Sequence, residues 1–204
     1  SSLHTLGINA EEILLSAKDV CAKAIGARSD EIFFTSGGTE ANNLAINGAA
    51  VSRAKRGNRI VTTEIEHPSV LEPIRALEQK GFEVIYLKPD KNGVVAEEDI
   101  KAAITRSTIL VSMMLVNNEI GSVMPVSKIR SAVKRAKAPA LIHSDCVQAF
   151  GKIPISPNSL GADIITISAH KIHGPKGVGG IYLKARNIIK PYMLGGEQES
   201  NIFA

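Results

Sequence analysis

The sequence predicts an α/β protein with three layers, α/β/α, in which a mostly parallel sheet lies between two layers of helices. Two observations lead to this prediction. Helical patterns alternate with short apolar runs along the whole chain, and these runs are continuous, as in strands buried on both faces. In addition, polar and titratable residues collect where the apolar runs end. Parallel sheets bind their ligands beyond the carboxyl ends of the strands, so the pattern also predicts a functional site there.

The chain opens with a predicted amphipathic helix. From Ala10 to Ile25 apolar residues recur at helical spacing, and Gly26 stands where a helix would end. The residues of this apolar stripe are Ile13, Leu14, Ala17, Val20, Cys21 and Ala24.

Strands and helices then alternate through the rest of the sequence. The predicted strands are EIFF (31–34), RIVTT (59–63), FEVIYL (82–87), TILVSMMLV (108–116), ALIHSD (140–145), DIITIS (163–168) and VGGIYL (178–183). The predicted helices are 39–55, 68–80, 96–104 and 126–137. Repeated strand–helix units of this kind favour a parallel sheet.

The composition excludes several classes of protein. The 204 residues are 44% hydrophobic and 22% charged, which is ordinary globular usage, and the length suits one large domain. The net charge of +4 is scattered, without a dense basic tract, so we expect no nucleic-acid partner. The longest apolar run, Ile109–Val116, is far shorter than the ~20 residues of a spanning helix, so we expect no membrane partner.

The chain's opening residues and its cysteines indicate a compartment. The opening residues SSLHTLGINA lack the basic and then apolar order of a signal peptide, which predicts a cytoplasmic protein. The two cysteines, Cys21 and Cys146, are too few for a disulfide framework and lack CxxC spacing. We therefore expect reduced thiols and no metal site.

The turn TSGGTEANN, which follows strand EIFF, is a candidate anion site. Gly37 and Gly38 permit backbone conformations that expose amide groups, and the helix that follows offers its positive N-terminal end to a phosphate. An alternative is a simple tight turn with Thr39 as the N-cap residue. The turn is not a Walker loop, because no GxxxxGK follows the strand.

The segment SAHKIHGPKG contains the candidate nucleophile. Lys171 follows an apolar strand, is flanked by hydroxyl and imidazole groups, and precedes a glycine-rich turn. Partial burial at such a place would disfavour the ammonium form and leave a neutral amine that attacks an aldehyde. The alternatives are an ordinary surface lysine at this position and a role for Lys176 instead.

Other strand ends contribute candidate partners for an aromatic cofactor. Asp145 could hold a pyridine nitrogen protonated, and Gln148 could reach the same ring. His67 could stack on the ring or transfer protons, and Asn118 could bind a carboxylate or the cofactor. Each residue also has a purely structural interpretation. Asp145 could be an N-cap and Gln148 a solvated amide, while His67 could cap a helix and Asn118 could simply favour a turn.

Together these motifs resemble the cysteine desulfurases, in the class V aminotransferase branch of fold-type I pyridoxal-phosphate enzymes. The resemblance covers nearly the whole chain. It rests on five segments in the family's order and spacing: FTSGGTEANNLAI, TEIEHPSVL, VNNEIGSVMP, HSDCVQAFGK and SAHKIHGPKG.

The resemblance implies a role for each candidate residue. Lys171 would form the Schiff base with pyridoxal 5'-phosphate, Asp145 would pair with the pyridinium nitrogen, and Gln148 would contact the phenolic oxygen. His67 would stack on the ring and act in catalysis, and Asn118 would lie beside cofactor and substrate. The phosphate would be bound by Gly38, Thr39, Ser168 and His170.

The activity that the resemblance implies is conversion of L-cysteine to L-alanine. Its sulfur would pass to an enzyme cysteine as a persulfide, for iron–sulfur cluster or thio-cofactor supply. The freed Lys171 would move the Cα proton, and a thiolate would attack the substrate sulfur. The resemblance further implies a homodimer and a sulfur-acceptor or iron–sulfur scaffold protein as a partner.

Compared with that family, the sequence lacks an opening segment, an RxGT-type segment with a substrate-carboxylate arginine, and the loop with the nucleophilic cysteine. We therefore expect residues 1–204 to be the large cofactor-binding domain of a longer enzyme, without the N-terminal segment and the C-terminal small domain. Cys21 on the first helix and Cys146 beside Asp145 do not match the missing cysteine.

Three alternatives stay open at this point. The first is a neighbouring specificity, such as a selenocysteine lyase or an aminotransferase. The second is a noncatalytic remnant that binds the cofactor or serves as a scaffold. The third, a metal hydrolase using His143, Asp145 and His170, is disfavoured because no carboxylate-rich cluster joins these residues.

Overall fold

The computed structural model describes residues 4–191. Its strands are β1 (Ile32–Thr35), β2 (Arg59–Thr63), β3 (Glu83–Leu87), β4 (Thr108–Ser112), β5 (Leu141–Asp145), β6 (Ile164–Ser168) and β7 (Gly179–Leu183). Its helices are α1 (Thr5–Ile25), α2 (Gly38–Arg53), α3 (Pro68–Gln79), α4 (Glu97–Ala103), α5 (Ile129–Ala136) and α6 (Pro157–Leu160). Within this part of the chain, none of the helices combines the length and the apolarity needed to cross a bilayer.

The strands form one sheet in the order β1-β7-β6-β5-β4-β2-β3. The central and outer strands from β6 to β3 are parallel, whereas β7 is antiparallel to both of its neighbours, β1 and β6. The carboxyl ends of the parallel strands therefore meet at one edge of the sheet. This architecture confirms the predicted α/β fold with a mostly parallel sheet.

Apolar residues cover both faces of the sheet, which gives the three predicted layers. On one face α2 and α3 pack through residues such as Leu44 and Ile74 against Ile60 and Leu141 of the strands. On the other face the core contains residues of α4, α5, α6 and the end of α1. Helix α2 crosses the middle of the sheet and contacts β4, β5, β6 and β7, so its first turn lies over the carboxyl ends of the central strands.

Helix α1 agrees with the prediction in type but not in its packing. It begins at Thr5 rather than near Ala10, and only its last turn is buried, through Ala22 and Ile25. The predicted apolar stripe is exposed apart from the partly buried Cys21, because the helix contacts the rest of the described chain mainly near its end, at residues 29–31 and β1. The apolar side chains that remain in solvent include Ile13, Leu14 and Val20.

The other differences from the predicted elements are small. Strand β4 ends at Ser112, whereas the apolar run continues to Val116. Residues after Ser112 leave the ladder and form the loop at the carboxyl edge, where Met113 and Leu115 still donate to carbonyls of β5. The short helix α6 was not predicted, because serine, proline and glycine are typical of loops. In the structure Ser156 is its N-cap, Pro157 its first residue and Gly161 its C-cap.

Strand β7 brings the two candidate phosphate segments together. Gly179 is in register with Thr35 of β1, just before the glycine turn, and with Ser168 of β6, just before Lys171. A side chain at position 179 has no room, because a Cβ built there lies 2.5 Å from the backbone carbon of Gly37. Glycine at this position therefore allows both segments to reach the same place.

We expect Gly179→Ala to lower the free energy of unfolding by about 1–3 kcal/mol, because the added methyl group must displace backbone rather than a flexible side chain. Urea denaturation measures this change. The matched control is Gly180→Ala, whose Cβ would meet the side chain of Ile167 at 3.3 Å and should cost less. Equal stability of the two variants would contradict the proposed backbone clash.

Candidate cofactor site

A cavity of about 260 Å³ opens at the carboxyl edge of the sheet. Eight of the nine predicted site residues line this cavity, contributed by the start of α2, by the last residue of β5 and by the segments that follow β2, β4, β5 and β6. The eight are Gly38, Thr39, His67, Asn118, Asp145, Gln148, His170 and Lys171. The remaining walls are the polar residues Asn42, Ser69 and Glu119 and the apolar residues Met114, Val116 and Val147.

The glycine turn presents the start of α2 to the cavity. The N-cap residue is Gly37, so the alternative with Thr39 as N-cap is wrong, and no side chain caps the first-turn amides. Thr35 and Glu40 instead stabilise the turn before the helix, through the carbonyl of Gly37 and the amide of Ser36. The amides at the start of the helix thus remain available for an anion.

The ninth residue, Ser168, lines a neighbouring cavity that it shares with Gly38, Thr39 and His170. Its side chain is buried, and its hydroxyl oxygen lies 2.7 Å from Nδ1 of His170. A Cβ built on Gly38 would lie 3.5 Å from the Cβ of Ser168 and 3.0 Å from Val147. The helix start, Ser168 and His170 therefore converge on one place, as predicted for a phosphate site.

Lys171 lines the cavity, but its predicted partial burial is wrong. The side chain is exposed, since the residue lies in a single turn of 3-10 helix that follows β6 and no other described element covers it. Lys176, the alternative candidate, does not line this cavity. Of the two lysines, Lys171 is the one that shares the cavity with Asp145 and the glycine turn.

Asp145 ends β5 with a carboxyl group that is almost completely enclosed. Burial raises the pKa of Asp145, while donated hydrogen bonds from the amide of Val147 and the side chain of Asn42 lower it. No lysine or arginine within residues 4–191 forms an ion pair with this carboxyl. A buried carboxylate is costly without a cation beside it, so the open side facing the cavity favours a cationic ligand atom.

A second buried carboxyl lies behind Asp145. Glu66 accepts hydrogen bonds from the hydroxyl of Thr63 at 2.7 Å and from the amide of Met114 at 3.0 Å. Burial raises the pKa of Glu66 to about 8, with a smaller contribution from the nearby Asp145, although the hydrogen bonds from Met114 and Thr63 oppose the shift. Glu66 thus connects the residues after β2 with the loop after β4, a role that the sequence did not reveal.

Three further residues of the cavity wall have hydrogen-bond partners within the protein: His67, Gln148 and Asn118. His67 caps α3 by accepting from the amide of Ser69 at 3.1 Å, so the capping interpretation holds alongside its place in the cavity wall. The carbonyl oxygen of Gln148 accepts from Lys152 at 2.9 Å, which leaves its NH₂ group to donate elsewhere. Asn118 donates to Glu119 at 2.6 Å.

Sequence reasoning missed the polar residues that support the site from below. Asn117 shapes the loop that carries Asn118, because its side-chain oxygen accepts from the amides of Glu119 and Ile120. Asn42 and Ser69 connect Asp145 with His67. The available signal was the spacing of Asn42, which follows Gly38 by one helical turn and so shares its face.

The two cysteines do not have the features of an activated thiol. Burial raises the pKa of Cys146 to about 12, and its side chain is fully enclosed. Burial also raises the pKa of Cys21, which packs at the end of α1 against the core. Activated thiols show the opposite shift, so neither cysteine suits attack on sulfur.

His143, considered above as a metal ligand, does not reach the cavity. It is fully buried between Ser112 and Thr166, with ring nitrogens 2.8 and 3.2 Å from their hydroxyl oxygens. Burial lowers the pKa of His143 to about 3, so the ring is neutral. Within the described residues no group of three or more His, Cys, Asp or Glu side chains has metal-binding geometry.

Comparison with known proteins places the chain in a family. The sequence profile of the aminotransferase class-V family matches residues 1–203. The chain belongs to the aminotransferase class-V family. The predicted membership of this branch is thereby confirmed, and pyridoxal 5'-phosphate is the cofactor of the family.

Class-V relatives resemble the chain over its whole length. It is 45% identical over 201 residues to cysteine desulfurase IscS of Dictyoglomus turgidum, an alignment that covers 98% of this chain and 50% of that protein. A solved NifS-like protein superimposes with a TM-score of 0.95 at 41% identity, covering 100% of this chain and 56% of the other. A solved structure described as SspA in complex with cysteine superimposes with a TM-score of 0.93 at 34% sequence identity. The superposition covers 100% of this chain and 58% of the other.

The chain spans about half the length of the curated class-V relatives that it matches. Its cavity nevertheless fits the cofactor of the family on structural grounds. The helix start with Ser168 and His170 suits a phosphate, the enclosed Asp145 suits a protonated ring nitrogen, and the amine of Lys171 suits an aldehyde.

Proposed function

We propose that this chain is the cofactor-binding large domain of a pyridoxal-phosphate-dependent cysteine desulfurase, which converts L-cysteine to L-alanine and passes the sulfur to an enzyme cysteine. The observation that carries the proposal is the enclosed carboxyl of Asp145, open only toward a cavity that also holds Lys171 and the start of α2. The relatives named cysteine desulfurase support the choice of reaction within the family.

Each end of the cavity holds one part of the cofactor in this proposal. Gly38, Thr39, Ser168 and His170 bind the phosphate, and Asp145 keeps a proton on the ring nitrogen. The NH₂ group of Gln148 donates to the phenolic oxygen, since its own carbonyl oxygen is occupied by Lys152. When bound, pyridoxal phosphate would supply an aldehyde carbon that reacts with amines and a ring that withdraws electrons from the substrate Cα.

Lys171 and His67 carry the proton chemistry. The exposed amine of Lys171 lines the cavity, where it would hold the aldehyde group of the cofactor and, with substrate present, would remove and return the Cα proton. The Nδ1 atom of His67 accepts from the amide of Ser69, which leaves Nε2 to carry the ring proton in the neutral form. His67 is thereby oriented to stack on the ring, and Asn118 lies beside the substrate.

The thiol nucleophile comes from outside these residues in the proposal. Cys146 is enclosed with a pKa raised to about 12, and Cys21 lies on α1 away from the cavity wall. A homodimer, a sulfur-acceptor or iron–sulfur scaffold partner and a cytoplasmic location stay predictions from the sequence.

We test the reaction with protein that includes the residues supplying the thiol nucleophile. It is incubated with pyridoxal phosphate, L-cysteine and a thiol reductant, and a parallel sample also contains pyruvate. We expect alanine and sulfide in equal amounts, formed without any keto acid, and no product from Lys171→Ala. Selenocysteine as a competing substrate measures the neighbouring specificity. Amino-group transfer from cysteine to pyruvate, with no sulfide, would refute desulfuration and favour an aminotransferase.

A further inference from the structure

Asn42 lies at the centre of a buried hydrogen-bond network beneath the cavity. Its side chain is 1% exposed and projects from the second turn of α2 toward the ends of β5 and β6. Its NH₂ group donates to Oδ2 of Asp145 at 2.8 Å and to Oγ of Ser69 at 2.9 Å. Its carbonyl oxygen accepts from the hydroxyl of Thr166 at 2.6 Å.

The direction of each hydrogen bond in this network is determined. Thr166 uses its hydroxyl hydrogen for Asn42, so it accepts from Nε2 of His143 at 3.2 Å. His143 is neutral, because burial lowers its pKa to about 3, and its Nδ1 atom therefore accepts from Ser112. The Asp145 carboxylate has no hydrogen to donate, so the Asn42 amide must direct its NH₂ group at the site, and this chain of donors agrees with that orientation.

The Asn42 amide therefore contacts Asp145 directly and His67 through Ser69. The first hydrogen goes directly to the carboxylate of Asp145. The second goes to Ser69, whose own hydroxyl lies 2.7 Å from Nδ1 of His67. Since Ser69 accepts from Asn42, its hydroxyl hydrogen is free to donate to His67, so the same residue orients the ring and the carboxylate.

We propose that Asn42 is a positioning residue, which acts through Asp145 and Ser69 to hold the ring-nitrogen partner and the stacking histidine in one fixed arrangement. The proposal deepens the proposed function and rests on the roles given there to Asp145 and His67. The network also explains a fully buried histidine, serine and threonine in the centre of the sheet, because His143, Ser112 and Thr166 set the direction of the Asn42 amide.

The charge on Asp145 depends on this amide. Burial raises the pKa of Asp145, and the donations from Val147 and Asn42 oppose that effect. The titratable group that acts on Asp145 from a neighbouring element is His67 before α3, which favours the carboxylate. Glu66 after β2 also faces Asp145, and the Asp145 carboxylate contributes to the raised pKa of Glu66. The Cys146 thiol, with a pKa raised to about 12, stays neutral.

The test uses the cofactor-free chain and needs no catalysis. Carbon-13 NMR of aspartate-labelled protein follows the carboxyl of Asp145, assigned by the loss of its signal in Asp145→Asn. We expect Asn42→Ala to raise the titration midpoint of Asp145 by about one pH unit, because burial is then opposed by fewer donors. The matched control is Asn47→Ala, in the same helix, whose amide donates only to the backbone of Asn43; it should leave the midpoint unchanged.

A second variant keeps the test informative if Asn42→Ala fails to fold. Thr166→Val removes the donor that orients the amide and should raise the same midpoint by a smaller amount. An unchanged midpoint in the folded variants would overturn the positioning role, whether or not the protein acts on cysteine. Conversely, if the parent protein forms no alanine and sulfide in the product assay while the midpoint shifts in Asn42→Ala, the proposed reaction is refuted and the network stays intact.

Discussion

Replacement of Lys171 by alanine is expected to abolish the visible absorption of lysine-linked pyridoxal phosphate and to lower turnover by about 10³-fold or more. The reason is that one amine performs two tasks in the proposed site: it holds the aldehyde and it moves the Cα proton. The cavity offers no second amine among the described residues, since Lys171 is the only lysine in its wall. Absorption spectra and steady-state rates with L-cysteine measure both effects.

The control for this variant is Lys176→Ala, five residues further along the same glycine-rich segment. Lys176 is exposed and lies outside this cavity, in a neighbouring one that it shares with Ser168 and His170, so its removal should leave the lysine-linked spectrum in place. Thermal unfolding of both variants should be unchanged within a few degrees, because both side chains are in solvent. A normal spectrum in Lys171→Ala together with a lost one in Lys176→Ala would reverse the assignment.

Asp145→Asn is expected to lower turnover by about 10²–10³-fold while the cofactor still binds. Asparagine keeps the size and the hydrogen bond from Val147, but it removes the negative charge that stabilises a protonated ring nitrogen. Loss of this negative charge should weaken the stabilisation of charge that develops on the substrate and leave the phosphate contacts unchanged. Turnover and cofactor affinity, measured separately by rates and by titration, distinguish these two effects.

A carboxylate far from the cavity provides the comparison for Asp145→Asn. Asp99 lies exposed in the first turn of α4, so Asp99→Asn should leave both turnover and cofactor affinity unchanged. A parallel fall in affinity and turnover for Asp145→Asn would indicate a binding contact only. Unchanged turnover would contradict the role of Asp145 at the ring nitrogen.

The fold could be predicted from the sequence because each strand is a continuous apolar run and each run is followed by a helical pattern. The exception is α1, where helical spacing predicted the helix but not its surroundings. Periodicity reports which residues share a face, not whether another element lies against that face. The exposed side chains of Ile13 and Val20 show this difference.

The candidate site could be predicted only in its outer layer. Residues that end strands, such as Asp145 and His67, stand at positions that the topology of a parallel sheet brings together. The support beneath them could not be predicted, because Asn42, Thr166 and His143 come from α2, β6 and β5 and meet only after the sheet has formed. The exposure of Lys171 was also missed, since a strand end does not reveal what covers the turn that follows.

The most direct test of the account is borohydride reduction of the protein after addition of pyridoxal phosphate, followed by mass spectrometry of its peptides. We expect one reduced pyridoxyl adduct, on Lys171, which free phosphate at millimolar concentration competes away. An adduct on Lys176 or spread over surface lysines, with Lys171 unmodified, would contradict it.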